Sequence, residues 1–268
     1  MNVLLIGAGN MGKTFGQGFI QTGTVSPTEL YVLDRGAAKA DSIKPFSANE
    51  LKTSPDAFIR DMDLLIVCVK PQDFSALAQQ IKPYLTEGQI VLSIMAGITV
   101  ARLQQELGLP KVVRAMPNLP SQIGMGMTVF TISEEVSRVE TFTVQNLLST
   151  TGKVLFVEDE HLIDSSTAVS GSGPAYVFYV MQAMIDRAKT MGFKESEARM
   201  LVMQTFMGSI HLLQQYELSC EEWIKKVASK GGTTEAALHQ FSAHELREGI
   251  WAGLDAAKNR AEELSKRA

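Results

Sequence analysis

Cysteine is nearly missing from this 268-residue chain: Cys68 and Cys220 are the only two, far apart and outside any CxxC pair. That usage excludes a disulfide framework and a thiolate zinc site, and both residues are read as small core hydrophobes. No metal is expected. Basic runs are also missing. The 25 Lys and Arg stand against 29 Asp and Glu for a net charge of −4, so the attraction on which nucleic-acid binding depends is absent and no such partner is expected. Apolar runs stop well short of the roughly 18 residues of a membrane span, and the first residues lead into an apolar strand without a basic flank. The expectation is a cytoplasmic protein without a membrane partner. Proline is missing after Pro174, whereas the other eight fall between Pro27 and Pro120. Proline costs about 3 kcal/mol inside a helix, so the proline-free half favours helices. His161, His211, His239 and His244 all fall in predicted helices, with no HExxH, no Ser-His-Asp order and no nearby nucleophile, and none is expected to be catalytic.

Short β-branched and leucine-rich runs alternate with amphipathic stretches through the first half. Strands are predicted at Val3 to Ile6, Tyr31 to Asp34, Leu64 to Val69, Ile90 to Ile94, Val112 to Ala115, Met127 to Ile132 and Val154 to Val157. Such alternation implies βαβ units and a mainly parallel sheet. From His161 onward the period is helical, with helices predicted over about 160–168, 175–191, 195–215, 219–229, 233–240 and 243–265. The pattern changes near Glu158, which divides the chain into domains 1–158 and 159–268. Ala175 to Met184 is apolar almost all round, more than a surface helix of a monomer would show, and is expected to pack against a second subunit.

The strongest chemical signal follows the first strand: Gly7-Ala8-Gly9-Asn10-Met11-Gly12 opens a predicted helix. In a GxGxxG turn at this place Gly7 permits the tight bend, Gly9 admits a pyrophosphate, and Gly12 lets helix pack on strand. The N–H groups of the helix start, at Asn10 and Met11, supply donors to the phosphates. A Rossmann-type dinucleotide-binding domain follows from this. The second strand ends in Asp34, which would accept from both ribose hydroxyls of NAD, and continues into Arg35, which with Lys39 nearby could pair with the 2′-phosphate of NADP. Both cofactors stay open at this point. Val69, Lys70 and Pro71 end the third strand-like run on the edge where open α/β sheets bind ligands, placing Lys70 near cofactor phosphate or ribose. Met116-Pro117-Asn118-Leu119-Pro120 ends another strand on that edge, its paired prolines stiffening the loop and leaving the Asn118 amide free to hydrogen-bond, and is expected to line a nicotinamide pocket.

Two glycine-rich segments interrupt the helical half. Ser170-Gly171-Ser172-Gly173-Pro174 and Ser229-Lys230-Gly231-Gly232-Thr233-Thr234-Glu235 each present backbone N–H groups and hydroxyls at a helix start, a combination suited to a small carboxylate. Without a strong protein acid, hydride transfer fits a protonated cyclic imine, which carries its own proton and an electrophilic carbon, better than a ketone.

GAGNMG, the VKPQ and MPNLP strand ends, and above all SGSGPAY with SKGGTTEAAL resemble the pyrroline-5-carboxylate reductase family along nearly the whole chain. The resemblance implies an α/β protein whose N-terminal Rossmann domain is followed by an all-α domain for substrate and dimerisation, self-associating as a dimer or a ring of dimers. It implies reduction of 1-pyrroline-5-carboxylate to L-proline, with NADP more often preferred than NAD. On the matching positions, Ser229, Gly231, Gly232, Thr233 and Thr234 would hold the substrate's carboxylate and ring nitrogen, Thr234 being the catalytic candidate, and Glu217 would help order that loop. Lys230 stands where many relatives have proline. A β-hydroxyacid dehydrogenase shares the domain order but carries a lysine where this chain has Val177, which cannot donate a proton. A non-catalytic dinucleotide sensor would bind cofactor without turnover.

Overall fold

The computed structural model describes residues 1–36 and 51–267. Lys39 lies outside the described residues. Among them, β1 (Val3–Ile6), β2 (Leu30–Leu33), β3 (Leu51–Lys52), β4 (Leu64–Val67), β5 (Ile90–Ser93), β6 (Val112–Met116), β7 (Gly126–Ile132) and β8 (Gly152–Phe156) form one sheet. Its order is β3-β2-β1-β4-β5-β6-β7-β8. Strands β1 to β6 run parallel, β7 is antiparallel to β6, and β8 is parallel to β7. Ile6 pairs with Leu33 on one side and Val67 on the other, so β1, β2 and β4 finish level. The chain order reverses at β1, which opens a crevice at these carboxyl ends.

Among the described residues, four helices cover the two faces of the sheet, to which successive strand residues point alternately. Val3 and Leu5 join Phe15 and Phe19 of α1 (Asn10–Thr22) and Val144, Leu147 and Leu148 of α4 (Arg138–Ser149) in one layer. Leu4 and Ile6 join Phe74, Ala78 and Ile81 of α2 (Phe74–Ile81) and Leu103 and Leu107 of α3 (Val100–Leu107) in the other. Each such buried side chain contributes about 1.5–3 kcal/mol, and burial on both faces explains why the strands read as unbroken apolar runs. The seven predicted strands lie within two residues of the observed ones. β3 escapes a pattern reading because it has two residues, both half-buried.

The helical half comprises α5 (His161–Ser166), a π-turn (Thr167–Gly171), α6 (Gly173–Thr190), α7 (Glu195–Gln215), α8 (Cys220–Val227), α9 (Thr233–Ala243) and α10 (Leu246–Arg267). The packing groups the chain into two compact units: one takes in Met1–Ser172 with the last residues from Ala257, and the other is Gly173–Ala256. Ile163, Asp164, Ala168 and Ala261 are buried in the first unit, which keeps α5 and the end of α10 with the sheet. In the second unit α6 buries no side chain, and Phe178 and Tyr179 are 58% and 80% exposed. A helical unit this bare lacks a core of its own. No described helix is long and apolar enough to cross a membrane.

Candidate functional site

A cleft of about 550 Å³ lies over the crevice of the first unit, lined in part by Gly7, Gly9, Asp34, Arg35, Val69 and Lys70. The three motif glycines serve it for three different reasons. Gly7 turns the chain at φ +99°, a conformation L side chains rarely adopt. At Gly12 a Cβ would collide with the Gly7 carbonyl, whereas at Gly9 a Cβ would meet nothing within 4 Å. Gly9 therefore leaves free space against the start of α1, where the first-turn N–H groups of Asn10, Met11 and Gly12 have no intrahelical acceptor. The site fits a dinucleotide pyrophosphate on the strength of that cradle.

Asp34, 8% exposed, is a fixed part of the cleft. Its Oδ2 accepts from the Ala8 N–H at 2.6 Å and its Oδ1 from the Gly36 N–H at 2.8 Å. The carboxylate thus orders the glycine turn from both of its oxygens. Arg35 is largely exposed, with Nη2 3.6 Å from Asp73 Oδ1. Lys70 is exposed at the N-cap of the 3₁₀ turn Pro71–Asp73. Cys68 also lines the cleft. Desolvation pushes its thiol up to about 12, so it stays protonated and is no nucleophile.

Met116 and Asn118 stand at the end of β6, outside the residues that line this cleft. The Asn118 amide, expected to be free to hydrogen-bond, spends its bonds within the fold: Nδ2 donates to the Ser170 carbonyl at 3.0 Å and Oδ1 accepts from the Met127 N–H at 2.9 Å. Asn118 pins the π-turn to β7. Met116 packs against the same turn, where a Cβ on Gly171 would press within 2.9 Å of its Cε. The Ser170 to Pro174 segment also differs from its reading as an N–H-presenting loop. The Ser172 N–H turns back to the Thr167 carbonyl at 2.8 Å, and Ser170 Oγ donates to the Ser166 carbonyl at 3.0 Å.

Ser229 to Thr234 belong to the second unit. Gly232 is the N-cap of α9, with no side chain capping it, and Thr233 and Thr234 open the helix. Their first-turn N–H groups have no intrahelical acceptor. Thr234 is half-buried and Ser229 exposed. The Gly232 N–H donates to the Ser229 carbonyl at 3.0 Å, and the Gly231 N–H to Glu235 Oε2 at 2.7 Å. Glu235 thus orders the loop within the chain, a role the sequence reading gave to Glu217. Glu217 is exposed between α7 and α8. The signal for Glu235 was its place in the first turn of α9, within side-chain reach of the preceding glycine.

Residues 160–264 match a family model described as pyrroline-5-carboxylate reductase dimerisation, and residues 2–97 match one described as NADP oxidoreductase, coenzyme F420-dependent. Over 265 residues the chain is 36% identical to the pyrroline-5-carboxylate reductase of Pseudomonas aeruginosa, covering 98% of this chain and 97% of that one. The chain belongs to the pyrroline-5-carboxylate reductase family. Pyrroline-5-carboxylate reductase 2 of Bacillus subtilis is 31% identical over 97% of this chain and 94% of its own. Among solved structures, that of the Coxiella burnetii reductase matches with a TM-score of 0.89 at 32% identity, covering 98% of each chain. The Rossmann-type sheet followed by a helical dimerisation domain is therefore the architecture of this reductase family, and the exposed apolar helices of the second unit are those the dimerisation model spans.

Proposed function

We propose that this chain catalyses the NAD(P)H-dependent reduction of 1-pyrroline-5-carboxylate to L-proline, the last step of proline biosynthesis, in the cytoplasm and as a dimer or ring of dimers. The observation that carries the reading is the glycine cradle at Gly9, facing an uncapped helix start, in a chain of this family. When bound, reduced nicotinamide supplies the hydride. Gly7 to Gly12 hold the pyrophosphate by N–H donors and the positive helix end, Asp34 holds the adenosine ribose, and Val69, Lys70 and Pro71 wall the cleft. Met116 and Asn118 contribute by holding the end of β6 in place. NADPH is the preferred cofactor through Arg35, whose planar fork suits a phosphate, and NADH is also accepted.

In the helical unit, N–H groups from Gly231 to Thr234 and the Ser229 hydroxyl receive the substrate carboxylate, and the Thr234 hydroxyl orients the ring nitrogen. Glu217 supports this loop in the assembled protein. The imine brings its own proton, so the residues need only bind and orient it. Steady-state oxidation of NADPH and NADH is the test. Turnover with pyrroline-5-carboxylate and none with simple ketoacids is expected, while tight cofactor binding without turnover would make the chain a sensor instead.

A further inference from the structure

Asp73 occupies the N-cap position of α2, yet its side chain makes no capping hydrogen bond. Its backbone is helical (φ −91°, ψ −6°) and carries the 3₁₀ turn Pro71–Asp73 into α2, so the side chain is not placed to cap the first-turn N–H groups. Here the carboxylate faces Arg35 across the cleft, with Oδ1 3.6 Å from Nη2. Both side chains line the same cleft as Asp34, Lys70, Gln72, Ala76 and Leu77. Among the described residues, the titratable groups that line it are two carboxylates, Asp34 and Asp73, two cations, Arg35 and Lys70, and the Cys68 thiol. A 2′-phosphate brings close to two further negative charges, and Arg35 is the cation that follows directly on the ribose-binding aspartate. The guanidinium that would receive this phosphate is already paired.

We infer that Asp73 is a specificity-determining residue of the cofactor cleft: it competes with the 2′-phosphate for Arg35 and so limits the preference for NADPH over NADH. The inference rests on the proposed reading of this cleft as the NAD(P)H site. Two features set its scale. The pair is exposed, 75% at Arg35 and 40% at Asp73, so it is weak and a phosphate displaces it readily. Because Asp73 provides no cap bond, replacing its charge leaves α2 without a lost hydrogen bond. The carboxylate therefore acts as a graded brake on phosphate recognition, and NADH, which lacks the phosphate, does not meet it.

The experiment is a fluorescence titration of the full-length protein with NADPH and with NADH, without substrate, for the native chain, Asp73→Asn, Arg35→Ala and the double variant. Asp73→Asn is expected to raise the ratio of NADPH to NADH affinity about three- to five-fold, the size of an exposed ion pair. In the Arg35→Ala background the same change should leave the ratio unaltered. An unchanged ratio in Asp73→Asn overturns the inference, as does an equal shift for both nucleotides. An increase that persists in full without Arg35 also overturns it, because Asp73 would then repel the phosphate directly. The titration is independent of turnover: chains that shift their ratio as described but fail to reduce pyrroline-5-carboxylate would sink the proposed reaction and leave the role of Asp73 intact.

Discussion

Arg114 of β6 donates from Nη2 to Asp164 Oδ1 of α5 at 2.6 Å, and from Nη1 to Glu160 Oε1 at 2.9 Å. Ser265 Oγ, near the end of α10, donates to the same Asp164 oxygen at 3.1 Å. The guanidinium is 1% exposed as part of its residue, and Asp164 is 4% exposed. One buried cation thus ties the sheet to α5 and to the last turns of the chain, which is why the compact unit runs past Glu158 and takes back the C-terminus.

Removing Asp164 leaves the buried guanidinium with Glu160, 32% exposed, as its ion-pair partner and strips the buried carboxylate from it. Asp164→Ala is expected to lower stability by about 3–5 kcal/mol. The double variant Arg114→Met/Asp164→Leu should recover most of the loss, since Glu160 is already partly solvated. Urea unfolding at one fixed chain concentration measures both, the concentration being held because subunit association shifts the midpoint. Equal losses in the single and double variants would show that packing, not charge pairing, is what the site contributes.

The glycines of the first turn make a sharper contrast. Gly9→Val should leave the fold near native, because nothing stands within 4 Å of its Cβ, but should abolish cofactor binding by filling the pyrophosphate's place. Gly12→Val should destabilise the β1–α1 unit itself, since its side chain would strike the Gly7 carbonyl. Circular dichroism and nucleotide titration separate the two. A folded Gly9→Val protein with native affinity would remove the cleft from the cofactor.

What the sequence disclosed and what it hid divide along a physical line. Val3 to Ile6, Leu64 to Val67 and the GAGNMG turn were legible because parallel-strand burial and the helix-start geometry are local properties, written in consecutive residues. Asn118 was not, because its partners Ser170 and Met127 are set by tertiary packing. Ser170 to Pro174 carries the punctuation of a loop. Its glycine instead answers to a close approach by Met116, which no local pattern announces. Asp34 lines the cleft, and its bond to the Ala8 N–H is a duty visible only in three dimensions.

Glu140 gives a pH signature. Desolvation raises its carboxyl, but hydrogen bonds from Lys111 and Ser137 outweigh this and hold it below its ordinary value. Lys111 Nζ lies 2.7 Å from its Oε1, and its Oε2 closes a capping box with Ser137 at the start of α4. Because the group titrates lower folded than unfolded, its contribution is complete above the ordinary carboxylate range and is lost as pH falls through the lowered folded value. Glu140→Gln should cost about 1 kcal/mol near neutrality. The gap between the native chain and the variant should close on acidification. A gap that stays constant as pH falls through and below the ordinary carboxylate range would show that the ionised form has no special role.

Thr234 carries the most direct test of the substrate site. It is the second residue of α9, and no side chain caps that helix, so removing its hydroxyl breaks no bond on which the fold depends. If the hydroxyl orients the ring nitrogen, its loss misplaces the imine carbon, and hydride transfer requires reacting atoms about 3–3.5 Å apart. Thr234→Ala is therefore expected to lower kcat/KM ten-fold or more, on the order of 1.4 kcal/mol or above, with nucleotide affinity unchanged, and Thr234→Ser should restore most of the rate. Because the substrate supplies the proton, activity should decline as pH rises past deprotonation of the imine, in the variant as in the native chain. Native kinetics in Thr234→Ala would take the residue out of the site, whereas loss of the alkaline decline would make its hydroxyl part of the proton path.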